Sequence, residues 1–270
     1  MTRHRLTLIS AVLFTTFVFS SHAYAQIPFY TDDADTTPKG EFHLEFLNEH
    51  DWLQRSALPA KRQNISTFTL NYGLTDRIEL GVNVPFIKIL NTRESIIRNE
   101  AGIGDTQFGV KVRLYDEREH SRLPAFTLVF YFEAPTGSAR KQIGSGLTDY
   151  WLYGVAQKTL TKRTTARVNG GILFAGNSSV GVLGIQTNRG RVFTANGSLV
   201  RDFTPKLKLG VELFGAATSN FDLSRGQLQG QFGGSYSLRD DFAVTFGLLG
   251  GRFAASPQIG VNLGFAYDFK

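Results

Sequence analysis

Alternation constrains this chain more than any other feature. From about residue 40 to the C-terminus, apolar residues recur at every second position in about twelve runs, each closed by a polar or glycine-containing interval. Phe42-x-Leu44-x-Phe46 and Phe68-x-Leu70-x-Tyr72 come first, and Ile78-x-Leu80-x-Val82-x-Val84-x-Phe86 follows after only Gly73 to Arg77. The last run is Ile259-x-Val261-x-Leu263-x-Phe265-x-Tyr267-x-Phe269. A period of two sends successive side chains to opposite faces of an extended chain, so each run is a strand with one apolar face. Only around Tyr150 to Leu160 is the apolar face ambiguous, because Trp151 and Tyr153 flank Leu152.

The intervening positions are polar, charged or small. They are Glu79, Gly81 and Asn83 in the third run, Lys111 and Arg113 in the fourth, and Lys208, Gly210 and Glu212 in the ninth. In the tenth they are Gln227, Gln229, Gln231, Gly233 and Ser235. About twelve strands closed into a ring enclose a lumen too wide for one layer of side chains to fill. An apolar lining would leave a void there, whereas a polar lining holds water, so the apolar face is expected to look outward into lipid. The mean hydropathy of −0.12 agrees, since only alternate residues of such a wall need be apolar. A soluble two-sheet sandwich is the competing all-β solution. Runs of about ten residues exceed the five or six usual in globular sheets, and 23 Phe and 9 Tyr enrich the apolar faces. The fold expected is an all-β, antiparallel, up-and-down transmembrane barrel of about twelve strands.

The N-terminus supplies the compartment. Arg3, His4 and Arg5 precede an apolar stretch from Leu6 to about Phe19, and Ala23-Tyr24-Ala25 has the small-residue spacing of a signal-peptidase site. The stretch is interrupted by Thr7, Ser10, Thr15 and Thr16 and is shorter than the roughly 20 residues of a helical span. Residues 1–25 are therefore expected to be a signal peptide cleaved after Ala25, residues 26–39 a periplasmic segment, and residues 40–270 a barrel in the bacterial outer membrane. Whether the segment enters the lumen is not readable at this level. The absence of cysteine excludes a lipoprotein anchor and any disulfide framework.

Connection lengths alternate. Compact polar turns lie at Leu74 to Asp76, Asp116 to Arg122, Thr161 to Arg163, Thr204-Pro205 and Arg239 to Asp241. Longer intervals lie at Gln54 to Arg62, Asn91 to Gly102, Pro135 to Gly146, Gly176 to Gly190 and Ser219 to Arg225, with Gly250 to Ser256 shorter than its class. Short periplasmic turns opposite long extracellular loops place both termini in the periplasm.

Three segments carry a resemblance: Pro28-Phe29-Tyr30-Thr31-Asp32-Asp33-Ala34-Asp35-Thr36-Thr37-Pro38-Lys39-Gly40, Asn71-Tyr72-Gly73-Leu74-Thr75-Asp76-Arg77-Ile78-Glu79-Leu80-Gly81, and Gly102-Ile103-Gly104-Asp105-Thr106-Gln107-Phe108-Gly109-Val110-Lys111. Through them the chain resembles the outer-membrane family labelled for the MetA pathway of phenol degradation. The resemblance implies a barrel and passage of small hydrophobic or aromatic molecules, and it supplies no catalytic residues. The last strand resembles the signature read by the barrel-assembly machinery, through Leu263, Phe265, Tyr267 and Phe269, with Lys270 standing after the usual terminal aromatic.

The functional candidates follow from facing. Glu79, Asp105, Lys111, Arg113, Glu133, Arg167, Lys208 and Glu212 fall on positions expected to line the lumen. An Arg or Lys turned to hydrocarbon would cost about 2–4 kcal/mol at the midplane. Such a lining selects permeants, or simply holds the wall together by cross-strand pairs. The loops are basic, and Arg62, Arg93, Arg98, Arg140, Lys141, Arg189 and Arg191 are candidates for contact with lipopolysaccharide phosphates. Nucleic acid is not an expected partner despite a pI of 9.5, because the charge lies on separated loops of an exported chain. Asp32, Asp33 and Asp35 lack the spacing of a calcium loop, and no metal or other cofactor is expected. His43, His50 and His120 lack a nucleophile and an orienting acid at compatible positions, so no enzyme is expected. The function expected is a channel or diffusion pathway for small molecules. The alternative is a closed structural or adhesive barrel acting through its extracellular loops.

Overall fold

The computed structural model describes residues 28–57, 60–92, 96, 99–119, 121–175, 190–218, 226–253 and 255–270. The alternating runs form β1 (Phe42–Trp52), β2 (Ala60–Thr75), β3 (Ile78–Asn91), β4 (Glu100–Ile103), β5 (Thr106–Tyr115), β6 (Ala125–Ala134) and β7 (Asp149–Thr161). They continue as β8 (Thr164–Ala175), β9 (Gly190–Asp202), β10 (Leu207–Thr218), β11 (Gln227–Arg239), β12 (Phe242–Gly251) and β13 (Ile259–Phe269). All pair antiparallel with their neighbours, and β1 pairs with both β2 and β13, from Phe42↔Phe269 to Trp52↔Ile259. That pairing closes the sheet, so no edge is left to be satisfied in lipid.

β4 and β5 are two pieces of one strand, which makes the ring twelve-stranded. Both pair with β3, and the ladder breaks between Asn83↔Gln107 and Phe86↔Ile103. Pro85 sits in that gap and has no N–H to give to a ladder, and Gly104 donates to the Pro85 carbonyl at 2.8 Å instead.

The outward face is predominantly apolar, with Val168, Leu213, Phe232 and Leu263 among its exposed side chains. Across the closing seam, outward rings stack from strand to strand: Phe42 with Tyr72 (4.8 Å) and Phe269 (5.4 Å), and Phe46 with Phe68 (4.9 Å) and Phe265 (5.6 Å). Such cross-strand aromatic pairs stabilise a register by up to about 1 kcal/mol each. The ambiguous strand, β7, resolves cleanly: Tyr150 and Leu152 face out, while Asp149, Tyr153 and Val155 are buried inside. Trp151 shares that inner face and packs on the same interior cluster as Tyr153.

One end of the ring carries the short connections, including 162–163 and 240–241; the other carries the longer ones, including 53–59 and 135–148. Residues 28–39 run inside the ring, from the middle of β11 toward the short-turn end. There Lys39 forms a parallel bridge with Gly73, whose missing side chain lets the chain approach so closely: a Cβ there would lie 2.0 Å from the Pro38 carbonyl oxygen. Gly40, at φ +79°, then turns the chain out of the lumen and into β1.

Candidate functional site

The inner wall has two unlike sides, and the segment 28–39 lies between them. On the β5 to β8 side the wall is cationic. Lys111 and Arg113 come from β5 and Arg167 from β8; all three sit at inward positions because the outward alternates Val110, Val112 and Val168 are the apolar ones. The segment meets them with Asp32, Asp33 and Asp35. The Lys111 ammonium donates to Asp32 Oδ1 at 2.8 Å and to Asp33 Oδ1 at 3.1 Å. Arg167 lies 3.7 Å from Asp33 Oδ2, and Arg113 donates to Asp35 Oδ1 at 2.6 Å.

Neutral groups complete the fit. The Tyr153 hydroxyl donates to Asp32 Oδ2 at 3.0 Å, and Gln157 of β7 donates to Asp35 Oδ2 at 3.1 Å while accepting from the Ala34 N–H at 3.3 Å. Asn169 of β8 faces the peptide of Asp32, and with its amide turned so that oxygen meets the N–H it accepts that N–H at 2.6 Å. The Ala34 carbonyl accepts from Thr127 Oγ1 at 2.7 Å and from Arg113 Nε at 3.1 Å. The Ala34 methyl is fully buried against Val129, Tyr153 and Val155. Further along, Glu79 of β3 accepts from both the N–H (2.6 Å) and the hydroxyl (2.7 Å) of Thr37.

The β9 to β13 side is different. There the segment touches Gln231, which donates to the Pro28 carbonyl, Glu212, which accepts from the Thr31 N–H at 2.5 Å, and Phe214, whose ring lies 5.3 Å from that of Tyr30. The Tyr30 hydroxyl crosses to Glu49 of β1, at 2.8 and 2.9 Å from the two carboxylate oxygens. Several buried polar atoms on this side have no hydrogen-bond partner among the described residues: Gln227 Oε1, Gln229 Nε2, Gln231 Oε1, Asn196 Oδ1, Ser198 Oγ and Glu212 Oε1.

At the long-loop end, Asp105 lies in the break between β4 and β5 and accepts from the N–H groups of Gly137 (2.8 Å) and Ser145 (2.6 Å). It thereby fastens the connection 135–148. That connection includes Gln142 at φ +59°, a left-handed residue that needs surrounding support, and buries Ile143 against Ile87 and Ile89 of β3. Glu133 accepts from Gln107 at 2.6 Å nearby, and Lys208 faces inward, half-buried, near the short-turn end.

Of the basic loop candidates, Arg62 and Arg191 are exposed at the long-loop ends of β2 and β9, and Arg140 is exposed in the connection 135–148. Lys141 lies 3.9 Å from Glu100. Arg93, Arg98 and Arg189 lie outside the described residues. Leu263, Phe265, Tyr267 and Phe269 share the outer face of β13, and Lys270 pairs with Glu41 at 3.1 Å. His43 is buried between Asp268 (2.5 Å) and Glu45 (3.0 Å).

Sequence reasoning placed the cations on the inner face and noted the acidic segment, but did not join them. It also missed Tyr131, Trp151 and Tyr153 as an inner aromatic wall. Three aspartates within residues 32–35, set against the inward cations, were the signal that joins the two sets.

A family model described as "Putative MetA-pathway of phenol degradation" matches residues 62–269. No curated protein matches the chain. Among solved structures it is similar to the COG4313 outer membrane channel from Pseudomonas putida F1, with a TM-score of 0.65 at 14% identity over 88% of this chain and 98% of that one. It is similar also to the NanC porin, with a TM-score of 0.56 at 10% identity over 84% of this chain and 99% of that one. The KdgM porin in complex with disordered oligogalacturonate gives 0.54 at 11% identity, with the same coverage.

Proposed function

The chain belongs to the family so described, and on that premise we propose that it is an outer-membrane channel through which small molecules diffuse. One observation carries this reading. The lumen is obstructed by a tethered segment and an inturned connection, while the wall's own side chains remain polar and reach the segment through ion pairs and hydrogen bonds. A barrel of about eight strands is filled by the side chains of its own wall, whereas here a separate segment tethered at one end occupies the space.

In this reading the short-turn end and both termini face the periplasm, and the signal peptide is removed after Ala25. Glu79, Lys111, Arg113, Glu133, Arg167, Lys208 and Glu212 then line the passage, and Asp105 acts on it indirectly by fixing the inturned connection. Arg62, Arg140 and Arg191, exposed toward the long-loop end, suit lipopolysaccharide phosphates, and the outer face of β13 suits the assembly machinery. The family description supports small, hydrophobic or aromatic molecules as permeants.

Liposome swelling and planar-bilayer conductance on the purified, heat-modifiable barrel test the reading. Solute-dependent flux that rises when residues 28–39 are released supports it. A folded barrel that carries no solute with the segment released overturns it in favour of a closed structural barrel, the reading favoured by the filled lumen of this conformation.

A further inference from the structure

The cationic side of the lumen is built around carboxylates, and its present ones come from the chain's own terminus. Lys111, only 4% exposed, bridges two carboxylates, Arg167 shares one of them, and Arg113 takes a third while also reaching Asp116 at 3.3 Å. On the wall itself, among the described residues, Glu79 lies across the ladder from Lys111 and Asp116 reaches Arg113, so two carboxylates stand against three cations. Were the segment to leave, three cations would face two wall carboxylates, and this surplus of positive charge around the buried Lys111 favours another anion.

The neighbours of the charges define what kind of anion. Tyr131 and Tyr153 stack at 6.3 Å, Trp151 packs on Tyr153 at 5.0 Å, and this aromatic wall with Val129 and Val155 encloses the Ala34 methyl directly beside the ion pairs. The Tyr153 hydroxyl adds a donor to the carboxylate on Lys111. The site therefore offers two or three cationic donors on one side and an apolar, aromatic surface on the other.

We propose that Lys111, Arg113, Arg167 and Tyr153 form a binding site for small organic dicarboxylates carrying an apolar group, and that Asp32, Asp33 and Asp35 occupy it as a tethered substitute ligand. The segment and a free dicarboxylate compete for the same donors. Because a short tether gives the segment an effective concentration on the order of millimolar, the free ligand must be supplied above that level to displace it from the wild-type chain. The site lies on the pathway proposed above and rests on that reading only for its role in passage, since binding is measurable without flux.

Phthalate is the probe, with neutral dimethyl phthalate and potassium chloride at matched ionic strength as comparisons. In the full-length mature chain in detergent, phthalate is expected to raise hydrogen–deuterium exchange at residues 31–37, whose N–H groups the wall holds, and the comparison solutes are not. By titration calorimetry, the Asp32→Asn/Asp33→Asn/Asp35→Asn variant is expected to bind phthalate at least tenfold more tightly than wild type. Adding Lys111→Gln and Arg167→Gln is expected to remove that gain. Equal exchange with phthalate and chloride, equal binding of dimethyl phthalate, or retention of the gain without the two cations each overturns the proposal. Should the aspartate variant lose heat-modifiable migration, the exchange experiment on the wild-type chain decides alone. A barrel that binds phthalate but passes no solute keeps this site and refutes the channel, so the two failures are distinct.

Discussion

The two sides of the lumen hold the same segment by different physics. On the β5 to β8 side, three cations meet three aspartates, and almost every polar atom of the segment there has a partner. On the β9 to β13 side, contacts are sparser and fall on the Gln231 amide, the Glu212 carboxylate and a phenyl ring, while several buried polar atoms have no partner among the described residues. Charge-assisted bonds are roughly twice as strong as neutral ones, and deleting one partner of a buried pair leaves the other charge stranded. The difference teaches that the segment is anchored by its aspartates, whereas the stretch from Pro28 to Thr31 rests on the opposite wall and is expected to release first.

Three substitutions sharpen or break that contrast. Lys111→Met should have the largest effect: it removes the buried ammonium that Asp32 and Asp33 share, and loss of a buried pair costs about 3–5 kcal/mol. Amide exchange at residues 32–37 should rise by a factor of a hundred or more, with heat-modifiable migration retained. Slow exchange in this variant would show that the aspartates are not the anchor. Gln231→Leu removes the neutral donor to the Pro28 carbonyl and should cost about 1 kcal/mol. Its effect should be confined to residues 28–31; acceleration spreading to Asp35 would mean the two sides act as one.

The smallest effect lies outside the lumen and serves as a control. Glu117, in the connection after β5, is pushed up by burial, but the Lys158 ammonium and the Thr159 N–H together outweigh this and hold its carboxyl below the ordinary range. A carboxyl depressed in the folded state contributes stability that is present above its unfolded value near 4.3 and fades as pH falls below it. Glu117→Gln should therefore lower the melting temperature by no more than a few degrees at pH 7, with the difference vanishing toward pH 3. The segment's exchange should not change at either pH.

Legibility divided along the same line as range in the chain. Alternation such as Phe42-x-Leu44-x-Phe46 is local, and it was enough for strand positions, for facing and for the ring of twelve. It failed for β7 because Trp151 and Tyr153 are apolar yet face inward, where their polar atoms meet distant partners, Thr194 for the indole N–H and Asp32 for the hydroxyl. The break between β4 and β5 was likewise invisible, since it depends on Pro85 lying opposite Gly104 across the ladder.

The sequence by itself determined an exported-looking leader, twelve alternating runs and a wall with charges on its inner face, because periodicity and the cost of charge in lipid act residue by residue. Only the tertiary structure decided that residues 28–39 lie inside the ring and that their aspartates meet Lys111, Arg113 and Arg167. Which charges pair depends on where closure of the ring brings distant strands, and no local pattern carries that distance.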